Sequence, residues 1–297
     1  MLKSHNRYRY SPITGRTPYT WPNGTRLAIF TALNIEAFPF GEGMGVELAA
    51  GQPQPDVVNY SWRDYGNRVG FWRLMEMLDE FNVPVSALMN TAIFDECPEI
   101  AAAIVKRGDE IVGHGRTNAE RQGQMPEDEE RRLIKDVVDV VRAKTGAAPA
   151  GWLGPWVSES HVTPDLLQEA GFSYHLDWMF DDQPVWMTTR SGRILSIPYV
   201  RPTNDLPLMH RYQVTPSQYA DMVIDQFDEM LLQSRDLPLV FCLSFHPYFA
   251  GHAFRLKHVR RIYQHIHQHR DAIWLARTGD IAKHVIGLPA GTVPDAS

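Results

Sequence analysis

A histidine at the end of a strand, followed four residues later by a second ligand, is a compact way to hold a metal ion. The stretch EIVGHGRTN, Glu110 to Asn118, has that histidine in His114, but the fourth residue on is Asn118. An amide carbonyl is a poor zinc ligand beside imidazole, thiolate or carboxylate, so the motif lacks one arm of a metal site. Glu36 follows the apolar run RLAIFTALN. A carboxylate at such a position is costly to bury without purpose, so Glu36 is expected to be functional, its pKa raised by the apolar strand end. His246 ends PLVFCLSFH, the most apolar run in the chain, and is likewise a candidate functional residue. A strand-end carboxylate and two strand-end histidines, one of them between glycines, belong to an active-site inventory.

Other groups fall at comparable places. Asn34, Asn90, Arg116, Asn118, Asp177, Asn204 and Asp205 follow strand-like runs, and Trp152 and Trp156 flank GWLGPW. Tryptophans serve equally well as core or as walls of a pocket, and Asx residues after strands are also common turn formers. The histidines of HVRRIYQHIHQH, His258, His265, His267 and His269, read as the solvated face of an amphipathic helix.

The elements that must position these groups alternate. Strand RLAIFTALN is followed by a helix in GNRVGFWRLMEMLDEFN, strand VPVSALMN, helix CPEIAAAIVKRG and strand DEIVGHG. The pattern runs on through helix MPEDEERRLIKDVVDVVRAKTG and strand APAGWLG to FSYHLDW, GRILSIPYV, PLVFCLSFH and AIWLAR. Regular alternation means right-handed βαβ units and a largely parallel sheet. A barrel fits the number of units better than an open sheet, and in either case ligands bind at the C-terminal ends of the strands.

Composition narrows the function. The chain has 297 residues, 44% hydrophobic and 22% charged, with net charge −6. One large domain is expected over 26–290, preceded by an irregular arm, 1–25, rich in Pro, Gly, Tyr and Arg. An acidic balance gives no electrostatic case for nucleic acid or anionic membrane; a small-molecule substrate is expected instead. Cys97 and Cys242 lie far apart without CxxC spacing, as expected of buried thiols in a reducing compartment. No apolar leader or membrane-length run is present, and a cytoplasmic protein is expected.

The order of strand-end motifs, LNIEAF, GHGRTN, GWLGPW, LDWMFDDQPVW and LSFHPY, resembles the polysaccharide deacetylase (NodB-homology) superfamily, and within it the metal-independent allantoinase or cyclic imide hydrolase branch. The likeness runs from YSPITGRTPYTWPNGTRLA through PTNDLP to WLARTGDIAKH. It implies a distorted (β/α)7 TIM-like barrel and hydrolysis of amide C–N bonds, in acetylated sugars or in cyclic ureides and imides. Metal-dependent members carry an Asp-Asp pair after the first strand and two histidines after the third. Those positions fall on Glu36, Ala37, His114 and Asn118, so the implied metal site is vestigial and no cofactor is expected. The allantoinase-like branch keeps a glutamate and a final histidine, matched by Glu36 and His246. It has aromatic residues where this chain has Thr117 and Asn118, so a different ring is expected.

The resemblance thus implies Glu36 as base, His114 with Arg116 or Asn118 on the oxyanion, and His246 as acid. Trp152 and Trp156 would sandwich the ring, with Asn204 or Asp205 reading its edges. The alternatives are a zinc-dependent sugar deacetylase using a replacement ligand such as Asp177 or Glu42, and a non-catalytic binding barrel. The arm and the resemblance favour a homo-oligomer, dimer or tetramer.

Overall fold

The computed structural model describes residues 5–199 and 201–295. Residues 1–4 of the expected arm and Val200, the last residue of the expected strand GRILSIPYV, lie outside them. The central strand β1 (Leu27–Ile35) is buried along its whole length, as a continuous apolar run requires of a strand covered on both faces. Its neighbours are β2 (Val85–Met89), β3 (Glu110–Gly113), β4 (Gly151–Trp152) and β5 (Tyr174–His175), all parallel. The antiparallel pair β6 (Val185–Thr189) and β7 (Gly192–Ser196) follows, and β7 joins β5. On the other side of β1 lies β8 (Leu239–Phe245), in register from Leu27↔Leu239 to Leu33↔Phe245.

The sheet is α/β and mostly parallel, as expected, with two departures. The first half of β1 pairs with β9 (Ile273–Ala276) and the second half with β2, so one edge of one strand serves two partners in turn. Between β8 and the β6–β7 edge the described residues form no strand pair. That seam is spanned by the segment before β6: Val240 N–H donates to Asp182 O at 2.9 Å and Gln183 Nε2 to Pro238 O at 2.7 Å. The β6–β7 hairpin is absent from the sequence reading because it interrupts the alternation of strand and helix. An antiparallel pair needs only a short turn, here Arg190 and Ser191, and no crossover helix.

Strand alternation divides the core. Ala28, Phe30 and Ala32 of β1 point into an inner cluster with Leu88, Val112, Leu153, Leu176 and Val240. Leu27, Ile29, Leu33 and Ile35 point the other way, into the larger layer beneath the helices. The helices begin and stop where their sequences direct. Helix Pro98–Arg107 starts on its proline and ends at Gly108 with φ +72°, and helix Glu127–Thr145 ends at Gly146 with φ +86°. Left-handed backbone of that kind favours glycine.

The arm packs on its own barrel. Arg7 pairs with Asp165 at 2.6 Å, Arg16 with Asp181 at 2.6 Å, and Tyr8 stacks on Phe180 with centroids 3.8 Å apart. Among the described residues no helix is long and apolar enough to cross a membrane.

Candidate active site

Glu36 leaves the C-terminal end of β1, His114 that of β3 and His246 that of β8. Glu36 Oε1 stands 3.7 Å from His114 Nε2 and 3.8 Å from His246 Nε2, so one carboxylate oxygen faces two imidazoles. All three residues are buried and line one cavity of about 250 Å³.

Each imidazole is held by its far nitrogen. His114 Nδ1 is 2.7 Å from Leu153 O; a carbonyl can only accept, so Nδ1 carries the hydrogen and Nε2 faces the cavity. His246 Nδ1 is 2.7 Å from Asp205 Oδ1, and the same carboxylate accepts the His246 backbone N–H at 2.9 Å through Oδ2. Asn90 joins the first and third strand ends, accepting from Ala37 N–H at 2.8 Å and donating to His114 O. Close packing makes His114 possible. A Cβ at the preceding Gly113 would meet the Trp152 ring at 2.7 Å.

The electrostatics separate an acid from a base. Burial alone would push the Glu36 carboxyl up, but the facing His114 imidazole, the charge of His246 and the nearby Tyr248 hydroxyl outweigh it. The carboxyl ends below its usual range. The expectation of a raised pKa is therefore corrected, because two imidazoles converge on the apolar strand end. Burial would lower His246, yet the Asp205 carboxylate and Glu36 raise it above the ordinary histidine value. Each shift favours the charged form, a carboxylate beside an imidazolium.

Three buried polar atoms on this cavity have no hydrogen-bond partner: Glu36 Oε2, His114 Nε2 and Asn118 Oδ1. Leaving such an atom unpaired costs about 1–3 kcal/mol, and three around one cavity mark a ligand site. The walls include Trp156, Leu153, Val46 and Tyr248. Trp156 has left-handed backbone at φ +66° and donates from Nε1 to Asn118 O at 2.7 Å. Its ring lies against Gly45 (φ +67°), where an added Cβ would come within 1.7 Å of it.

Of the sequence candidates, Asn34, Glu36, His114, Asn118, Trp156, Asn204 and His246 line the cavity. Asp205 stands behind His246 and is fully buried. Asn34 and Asn204 donate to the Ser244 hydroxyl at 3.0 and 3.1 Å, which turns their amides largely into the wall.

Three candidates lie elsewhere. Trp152 is fully buried and donates to Gln122 Oε1 at 3.2 Å, so it cannot sandwich a ring with Trp156. Arg116 turns outward to Glu120 and Asp136, the latter at 3.1 Å. Asp177 accepts from Gly154 N–H at 2.7 Å, and its other oxygen faces His175 Nδ1 at 3.8 Å.

The sequence reading missed Tyr248, Tyr199 and Arg63. Tyr248 had a signal, since it stands two residues after His246 in HPY. Arg63, on helix Val57–Tyr65, is buried without an ion pair to any described carboxylate. It donates to Val46 O and Asn59 O, and its guanidinium lies 4.6 Å from the Phe38 ring centroid.

The donors do not suit a metal at this cavity. Ala37 supplies no ligand atom, and Glu36, His114 and His246 are not among the described groups whose donor atoms all lie within 4.8 Å of one another. Two such groups occur elsewhere: half-exposed Asp228, His265 and His269, and the more enclosed Glu159, His175 and Asp177. In the second, burial opposes protonation of His175, but Asp177 and Glu159 raise its pKa to about 9. An imidazolium clamped between carboxylates accounts for that group.

Residues 51–175 match the family model described as polysaccharide deacetylase, and the resemblance foreseen from the strand-end motifs is borne out. With it stand the α/β fold of that type and the expectation of a hydrolase acting on carbon–nitrogen bonds other than peptide bonds. Similar solved structures include a probable polysaccharide deacetylase from Pseudomonas aeruginosa PAO1, 28% identical, covering 89% of this chain and 92% of that one with a TM-score of 0.79. PuuE allantoinase is 26% identical, with 93% of this chain and 97% of that one covered at a TM-score of 0.79. The peptidoglycan deacetylase of Helicobacter pylori is 24% identical over 76% of this chain and 86% of its own length.

Proposed function

We propose that the chain opens a cyclic amide, a ureide such as allantoin or an imide, by acid–base catalysis without a metal. The observation that carries this reading is the approach of both imidazoles to Glu36 Oε1, at 3.7 and 3.8 Å, with His246 braced from behind by Asp205. Likeness to PuuE allantoinase across nearly the whole chain supports it.

The residues divide the reaction as follows. The Glu36 carboxylate takes a proton from water as the water oxygen adds to the ring carbonyl carbon. His114, anchored through Nδ1 on Leu153 O, turns Nε2 toward Glu36 Oε1 and helps to orient that water. The Asn118 amide, whose N–H bonds can turn into the cavity, faces the developing oxyanion. As the C–N bond breaks, the His246 imidazolium gives its Nε2 proton to the departing nitrogen. Transfer of the proton from Glu36 to His246 restores both groups. Trp156 provides a flat wall for the ring. We also propose a homo-oligomer working in the cytoplasm on a small substrate, without nucleic acid or membrane.

The test is a panel of allantoin, hydantoin, dihydrouracil, succinimide, maleimide and N-acetylated chito-oligomers, each assayed before and after exhaustive chelation. Ring opening that survives chelation supports the reading. Deacetylation of the sugars that chelation abolishes replaces it with a metal-dependent deacetylase, and silence on every substrate favours a binding barrel.

A further inference from the structure

The cavity is asymmetric in charge. Among the described residues Glu36 is its one acidic lining group, and Glu36 sits buried on the floor, matched there by protonated His246. The mouth carries Arg201, His210 and Arg211. Neither arginine is within ion-pairing distance of a described carboxylate; Arg211 lies only against the ring of Tyr212, 5.8 Å from its centroid. Two guanidinium groups without a carboxylate partner thus line the same cavity as the buried Glu36.

Both come from one short segment. Arg201 opens the turn that carries Asn204 and Asp205, and Arg211 ends the helical turn Pro207–Arg211, of which Pro207 and His210 also line the cavity. The segment that braces His246 through Asp205 therefore also presents the cations. Arg201 and Arg211 thus lie on the same piece of chain as Asp205, the brace of the proton donor.

We propose that the substrate bears a carboxylate away from its scissile bond and that Arg201 and Arg211 recognise it at the mouth. This rests on the reading that the site opens a cyclic amide, and names the class of ring: a carboxylated ureide or imide. A planar guanidinium accepts a carboxylate in a bidentate pair, and the hydrophobic walls between mouth and floor suit the ring itself. The carboxylate produced by ring opening is a different group, formed at the carbon attacked beside Glu36 and Asn118.

Matched rings test this: dihydrouracil against dihydroorotate, and hydantoin against hydantoin-5-acetate, which differ by one carboxylate. The carboxylated member of a pair is expected to show at least about tenfold higher kcat/KM, mainly through KM. In the double variant Arg201→Gln/Arg211→Gln that preference should disappear, the two rings being opened with similar kcat/KM. No preference in the wild-type protein, or a preference that survives the double substitution, overturns the proposal. If no ring is opened at all, the functional reading fails separately. The carboxylate site is then read by thermal stabilisation with glutarate, expected for the wild type and absent in the double variant; equal responses, or none, overturn it.

Discussion

Asp205 grips His246 twice, accepting its backbone N–H through Oδ2 at 2.9 Å and its ring Nδ1–H through Oδ1 at 2.7 Å. The two contacts fix the position of the residue, the tautomer of the ring and the direction of Nε2 at once. A carboxylate in this place also stabilises the charged ring. Replacing it by an amide keeps the shape and removes the charge. Asp205→Asn is expected to lower kcat on the order of 10²-fold or more, with KM much less affected. An unchanged kcat in a variant with wild-type fold would remove Asp205 from the mechanism.

The pH profile follows from the two shifted groups. Activity requires Glu36 ionised, so it rises as pH climbs through the Glu36 pKa, which lies below 4.5. It requires His246 protonated, so it falls as pH climbs through a pKa above 6.5. A bell-shaped kcat/KM with its limbs outside that interval is expected. In Asp205→Asn the alkaline limb should move to lower pH, because the carboxylate that raises His246 is gone. A limb that stays in place would assign it to another group.

Gly45 and Trp156 make a structural prediction at a distance from the chemistry. Gly45→Ala adds a Cβ within 1.7 Å of the Trp156 ring at a residue with φ +67°. The ring must move, and displacement of a positioning wall by about 1 Å can cost up to about 10²-fold in rate. A drop in kcat/KM without loss of the folded state is expected, read by activity beside near-ultraviolet circular dichroism. Wild-type kinetics would show that Trp156 does not touch the substrate.

Arg116 supplies the contrasting case. It belongs to the GHGR stretch that first drew attention to this site, yet its side chain is 38% exposed and tied to Glu120 and Asp136. Arg116→Gln is expected to leave kcat/KM within about twofold and stability within about 1 kcal/mol, the usual worth of exposed ion pairs. A large kinetic loss would place Arg116 in the cavity.

The sequence exposed the chemistry best where a polar residue interrupts an apolar run. Glu36, His114 and His246 stand out in this way, and the fold brings them together at the ends of β1, β3 and β8. Register was harder to read. Leu153 points into the cavity and the inner cluster, so its neighbour Trp152 must face the opposite side of the strand; in a strand of two residues, Gly151–Trp152, no alternation reveals which is which. The lowered Glu36 pKa was also invisible locally. The apolar strand that raises it is adjacent in sequence, whereas the imidazoles that lower it arrive from β3 and β8. Arg63 escaped notice for a related reason: its surroundings, Val46, Phe38 and Tyr248, come from separate stretches of the chain.

The central claim is that Glu36 is the base and that no metal takes part. Its most direct test is the single-turnover rate of ring opening by chelator-treated wild-type protein and by Glu36→Gln on the same cyclic ureide or imide. The account predicts full activity in the chelated wild type and a loss of at least about 10²-fold in the variant. Activity lost on chelation and restored by zinc, or a variant as fast as the wild type, would contradict it.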